Sequence, residues 1–168
     1  YLTQMGEIPL LTRREEIELA KRIEETRRRF RTKLLENHYV LVEAYKTLKK
    51  VYRGQLPFDR TVQVSVTDRL EKEQIIGRLP HNLLTLQTLL RRNKHDWKVA
   101  LSKSASKRRR AEAWRALARR RRRAVRLIEE LGLRTQRIET RIDLLEKFSN
   151  RLTEIDSLIK DQKRTKHG

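Results

Sequence analysis

The sequence predicts an all-α fold, an elongated helical bundle of antiparallel helical hairpins, and three observations predict it. The 168 residues include only five Gly and three Pro, too few turn-formers for a chain built of many short strands. Charged residues make up 38% and hydrophobic residues 37%, the balance of long charged helices. Apolar residues recur three, four or seven positions apart along most of the chain, which is the spacing of one helical face. A Rossmann fold, a barrel or a sandwich is disfavoured on the same grounds, and the length predicts one domain.

Tyr1 to Leu11 is short, mixed and turn-like, with Ile8, Leu10, Leu11 and Ile17 placed as a hydrophobic staple and packing face. Thr12-Arg13-Arg14-Glu15 has the form of a capping box and predicts a helix start. The positions Ile23, Phe30, Leu34, Leu41, Tyr45, Leu48 and Tyr52 predict one unbroken face that ends at Gly54 and Pro57. Between Arg53 and Val66, Thr61-Val62-Gln63-Val64-Ser65 alternates like a strand, but no second stretch offers a partner, so a loop is expected.

Thr67 is the expected cap of the next helix, and Pro80 is expected to kink or restart it after Leu79. Leu83, Leu86, Leu90, Trp97 and Leu101 extend its apolar period, and Ser102, Ser104 and Ser106 mark a connection. A basic helix is predicted over 107–131, ended by Gly132 in the position of a C-terminal cap. Thr135 opens a final helix whose seam of Ile138, Ile142, Leu145, Leu152, Ile155 and Ile159 is close to a heptad. That helix is expected to pair antiparallel with the basic one across Gly132–Thr135 and to fray from Asp161 to Gly168.

Several chemistries are excluded or unsupported. With no Cys there are no disulfides, thiolate metal sites or thiol nucleophiles, and a reducing, intracellular compartment is the default. No apolar stretch is long enough for a transmembrane helix, and no signal peptide is read. His38, His81, His95 and His167 show no zinc or di-iron spacing and read as surface or interface imidazoles. Glu15, Glu16 and Glu18 are interleaved with Lys21 and Arg22, the pattern of a solvated helix face. With no Gly-rich phosphate loop and no nucleophile elbow, the expectation is a protein that is not an enzyme and has no metal, cofactor or small-molecule substrate. The start at Tyr1 without Met suggests a piece of a longer chain.

Charge carries the functional signal. There are 42 Lys and Arg against 22 Asp and Glu, a formal net charge of +20 and a sequence pI near 11.0, which point to a polyanionic partner. The excess is densest in Lys107, Arg108, Arg109, Arg110, Arg115, Arg119, Arg120, Arg121, Arg122, Arg123 and Arg126. Trp114, Leu117, Val125 and Ile128 are expected to face the core, leaving the other faces to grip nucleic-acid phosphates without sequence preference or to dock on an acidic protein. The alternative is a solvated helix balanced by Glu24, Glu25, Glu129, Glu130 and the last helix. A membrane surface is disfavoured, because no broad bulky apolar face lies opposite the charge. Aromatics are only 5%, and Trp97 and Trp114 read as core or helix-junction residues, so affinity without base readout is expected.

One segment resembles a known family. Tyr1-Leu2-Thr3-Gln4-Met5-Gly6-Glu7-Ile8-Pro9-Leu10-Leu11-Thr12-Arg13-Arg14-Glu15-Glu16-Ile17-Glu18-Leu19-Ala20-Lys21-Arg22-Ile23-Glu24 resembles conserved region 1.2 of the primary, housekeeping sigma factors of bacterial RNA polymerase. The shared pattern is Tyr-Leu, Met-Gly, Leu-Leu-Thr-Arg and Glu-Ile-x-x-Ala-Lys-Arg-Ile-Glu, in that order and without a gap. The resemblance implies that residues 1–24 form this turn and helix start. It implies that residues 25–168 form the helical, length-variable, non-conserved insertion that follows in the family. It also implies promoter DNA and the polymerase core as partners, in the cytoplasm at the nucleoid. In the family's arrangement, Tyr1, Leu2, Thr3, Met5 and Gly6 would face the melted discriminator strand, and the segment would prop neighbouring promoter-reading helices. The departure is Thr3-Gln4, where Arg-Glu is more usual; a charge is lost, which weakens any discriminator preference. Two rival readings remain, a stand-alone basic helical RNA-binding protein and a coiled-coil interaction protein whose charge keeps it in solution.

Overall fold

Thr12 starts the first helix as a capping box requires. In a computed structural model that describes residues 10–64 and 69–165, Thr12 Oγ1 accepts from the Glu15 amide at 3.3 Å. The Thr12 amide in turn donates to Glu15 Oε2 at 2.7 Å and the Thr12 hydroxyl to the same oxygen at 2.8 Å, and these two bonds hold the Glu15 carboxyl below its ordinary range. Helix α1 runs Arg13–Glu36. The expected staple is not seen: Leu10, Leu11 and Ile17 are exposed, and Ile8 lies outside the described residues.

The unbroken face predicted through Tyr52 is interrupted at Asn37. Asn37 has extended backbone, φ −73° and ψ 127°, and its Oδ1 accepts from the amides of Tyr39 and Val40 to start α2, His38–Tyr52. An Asn side chain satisfies first-turn amides better than a continuing helix satisfies Asn, so a local cap overrides the longer period. Leu35, Val40, Leu41, Ala44, Leu48 and Val51 enter the core, whereas Ile23, Phe30 and Tyr52 are exposed.

A single helical turn, α3 (Phe58–Thr61), leads into Val62. The alternating stretch expected to stay a loop does find a partner, in one antiparallel bridge between Val62 and Leu133. The Gln63 amide donates to the Gly132 carbonyl at 2.7 Å and the Arg134 amide to the Thr61 carbonyl at 2.9 Å. The partner is a turn far along the chain, which periodicity cannot detect.

Helix α4 spans Arg69–Leu101; its expected cap, Thr67, lies outside the described residues. It does not restart at Pro80, which sits inside it. Ile75, Leu79, Leu83, Leu86 and Leu89 are all buried in the main core, and their packing offsets the amide that proline lacks. Ser106 Oγ accepts from the Arg109 amide and caps α5, Lys107–Glu129. Contacts between α4 and α5 run in opposite directions along the two helices. Asn82 Nδ2 donates to the Leu127 carbonyl at 3.3 Å, Arg120 reaches Asn93 and Asp96, and Trp97 meets Trp114 edge-on at 5.3 Å. This antiparallel hairpin is the most extensively packed helix pair.

The final helix departs from expectation. Thr135 makes no side-chain cap, and the chain forms a short α6 (Gln136–Glu139) before α7 (Ile142–Thr165). α7 does not pack along α5. Ile138 is buried and Leu145 packs against the core, and Phe148 meets Tyr39 edge-on at 6.4 Å. Beyond that point Leu152 is 67% exposed, and Ile155 and Ile159 are also exposed. The reason lies in α5, whose narrow stripe of Ala113, Leu117, Ala124, Val125 and Ile128 is already buried against its other neighbours. Its remaining faces are arginine, so no second apolar face is left for the last helix. Nor does α7 fray at Asp161, since it is helical to Thr165.

The turn after α5 depends on Gly132, which has φ +64°. A Cβ there would lie 2.9 Å from the Gln63 carbonyl oxygen. Gly132→Ala should destabilise the protein by roughly 2–3 kcal/mol, the sum of left-handed strain and a backbone clash. Gly54, at φ +71° with nothing near its Cβ, should show only the strain, about 1 kcal/mol on change to Ala. Paired urea denaturation curves test the difference; equal losses would mean that the Gln63 carbonyl does not constrain the turn.

Candidate nucleic-acid interface

The basic helix sorts its arginines by angle. Arg108, Arg115, Arg119, Arg122 and Arg126 are seven, four, three and four residues apart and fall on one helical face. Ala113, Leu117, Ala124 and Ile128, on the opposite face, are buried. All five arginines are exposed, forming a guanidinium stripe about 27 Å long at 1.5 Å per residue. Arg123 and Arg109 flank it, also exposed, and Lys107 extends the charge at the N-terminal end.

Three members of the predicted patch are placed differently. The Arg120 side chain is only 17% exposed and is held by Asn93 Oδ1 at 2.8 Å and by the Asp96 carboxylate, so it fastens α5 to α4. Arg121 is half-buried at a groove of about 530 Å³ that Leu41, Leu90, Trp97 and Leu117 also line. At the same groove, partial burial and then the Arg121 charge push His38 below the usual imidazole value. Arg110 is half-buried. Trp114, expected in the core, is about half exposed, and it pairs with Trp97 at the helix junction.

Two of the carboxylates expected to balance the stripe, Glu129 and Glu25, are engaged elsewhere. Glu129 takes a bidentate bridge from Arg31, at 2.7 and 2.6 Å, and these bonds raise the Arg31 pKa. Glu25 is bound by Arg28 and Arg29 of its own helix. Within α5, Glu112 pairs with Arg108 alone, at an exposed site where the bridge is weak. The helix carries eleven Lys or Arg against two Glu, with no acidic residue in its first turn. Lys107, Arg108, Arg109 and Arg110 therefore sit at the positive end of the helix dipole, where cations are unfavourable. Like charges crowded against the dipole are relieved by an external polyanion, and the stripe geometry suits phosphates strung along a groove.

Among the described residues, no group of three or more His, Asp or Glu is placed to hold a metal ion. No helix there is long and apolar enough to cross a membrane.

At the other end of the chain, α1 carries Leu19, Ile23 and Phe30 along one exposed stripe behind its capping box. Residues 1–28 match the model of Sigma-70 factor, region 1.2. The match takes in the capping box and α1 as far as Arg28. The region 1.2-like turn of Tyr1, Leu2, Thr3, Met5 and Gly6 lies outside the described residues. No solved structure matches this chain.

Proposed function

We propose that the chain is a non-enzymatic part of a primary sigma factor, comprising region 1.2 and the helical insertion that follows it, and that it acts in promoter recognition. The observation that carries this reading is the match of residues 1–28 to the region 1.2 model, which supports a sigma-70 family member. The Tyr1–Gly6 turn would touch or position the melted discriminator strand, where Leu2 or Met5 can hold an unstacked base and Gly6 permits close backbone approach. The exposed stripe of Leu19, Ile23 and Phe30 supports docking of α1 against neighbouring promoter-reading helices. The α5 stripe would add sequence-independent attraction to duplex DNA or to an acidic part of the polymerase core. The setting would be the bacterial cytoplasm, at the nucleoid.

The test is capture of bacterial core RNA polymerase on the immobilised chain, followed by binding of fork-junction DNA with an unpaired discriminator strand. Core retention, with the fork bound more tightly than the closed duplex, is the expected result. A chain that ignores core and prefers structured RNA would replace this reading with the stand-alone RNA-binding one. The exposed seam of Phe148, Leu152, Ile155 and Ile159 favours a helix-pairing role as the remaining alternative.

A further inference from the structure

Apart from α5, a second group of arginines meets where α3 faces α6. Arg60, Arg134, Arg137 and Arg141 line a cavity of about 620 Å³, together with Asp59 and Thr140. Two of the guanidinium groups are held by backbone carbonyls. Arg134 Nη2 donates to the Asp59 carbonyl at 2.9 Å and Nε to the Val62 carbonyl at 3.3 Å; Arg137 Nη2 donates to the Arg60 carbonyl at 3.3 Å. A carbonyl orients a guanidinium without cancelling its charge.

The nearby carboxylates are shared with lysines. Asp59 is bound by Lys72 Nζ at 2.8 Å. Glu43 receives Lys46 at 2.7 Å as well as Arg141 Nη2 at 3.2 Å. Arg141 Nε is buried with no hydrogen-bond partner, and such a group is destabilising unless something accepts from it. Arg60 forms no ion pair among the described residues. The cavity thus gathers four arginines, two of them held by backbone carbonyls, beside two carboxylates that are each already bound by a lysine.

We propose that this cavity binds a phosphate group, carried either by a free nucleotide or by a nucleic-acid strand. Planar guanidinium forks match phosphate oxygens in pairs, and a space of this size holds an organic moiety as well as the anion. The site is formed by α3, the turn after Gly132 and α6, and it uses none of the α5 stripe, so it stands whether or not the sigma reading does.

Isothermal titration of the 168-residue chain with pyrophosphate, at ionic strength held constant with KCl, tests it. Saturable one-site binding is expected. Arg60→Gln and Arg137→Gln, both at exposed positions, should each weaken it about tenfold, as removal of one charge-assisted hydrogen bond does. Asp59→Asn should tighten it, and Arg119→Gln with Arg122→Gln should leave it unchanged, which separates this site from α5. Heat without saturation, or affinity indifferent to Arg60 and Arg137 in variants whose circular dichroism is intact, would overturn the proposal. A nucleoside diphosphate and an oligonucleotide without terminal phosphates then compete with pyrophosphate. Displacement by the first alone assigns a free nucleotide and displacement by the second assigns a strand; displacement by neither refutes a phosphate ester as occupant.

Discussion

Changing Arg115, Arg119, Arg122 and Arg126 together to Gln is expected to flatten the salt dependence of duplex DNA binding by roughly 3–4 in log–log slope, at about 0.9 for each phosphate left without its arginine. Affinity in low salt should fall on the order of a hundredfold or more, equally for unrelated duplex sequences, because phosphate contacts position a protein without reading bases. These side chains point away from the core and none forms an ion pair among the described residues, so stability should stay within about 0.5 kcal/mol of the parent. Arg28→Gln with Arg29→Gln is the matched control, since both arginines are tied to Glu25. Fluorescence anisotropy across a salt series reads the slope. An unchanged slope would remove α5 as the DNA-binding element, and a weakening confined to one duplex sequence would mean base readout that this helix is not built to give.

Leu86→Ala is the substitution expected to harm the fold most. Leu86 is fully buried in the cluster that joins α2, α4 and α5. Removing its side chain leaves a cavity among Leu and Val neighbours that cannot collapse without moving whole helices. A loss of about 3 kcal/mol is expected, a large share of the stability of any single domain. Leu86→Met, close in volume, should lose less than about 1.5 kcal/mol. Urea unfolding followed by circular dichroism measures both; a Leu86→Ala loss below about 1 kcal/mol would mean that α2, α4 and α5 pack more loosely than the burial of Leu86 implies.

Features with a short sequence range were legible in the residues. The capping box at Thr12 and Glu15, the turn at Gly132 and the basic helix all depend on residues within one or two turns of each other, whereas Ser106, read only as part of a connection, proved to be a cap. The stripe of Arg115, Arg119, Arg122 and Arg126 could be drawn from helical angle alone once α5 was recognised. The arginines of the proposed phosphate site were not picked out in the sequence: Arg134, Arg137 and Arg141 are spaced three and four apart, but Arg60, which joins them, comes from a segment whose local pattern predicts only a loop.

The α-helical class, the excess of positive charge and its concentration in one helix follow from residue order alone, because periodicity and charge are local and additive. Which helix meets which is settled only in the folded chain. Asn37 divided one predicted helix in two because a three-residue cap outweighed a distant hydrophobic period. α5 paired with α4, and α7 was left with an exposed seam, because an arginine-rich helix has a single apolar stripe and partners compete for it. Val62 found Leu133 far along the chain, and Arg120 is paired with Asp96 while Arg119 and Arg122 form no ion pair among the described residues. These outcomes depend on the sum of packing over the whole chain, and no window of sequence contains that sum.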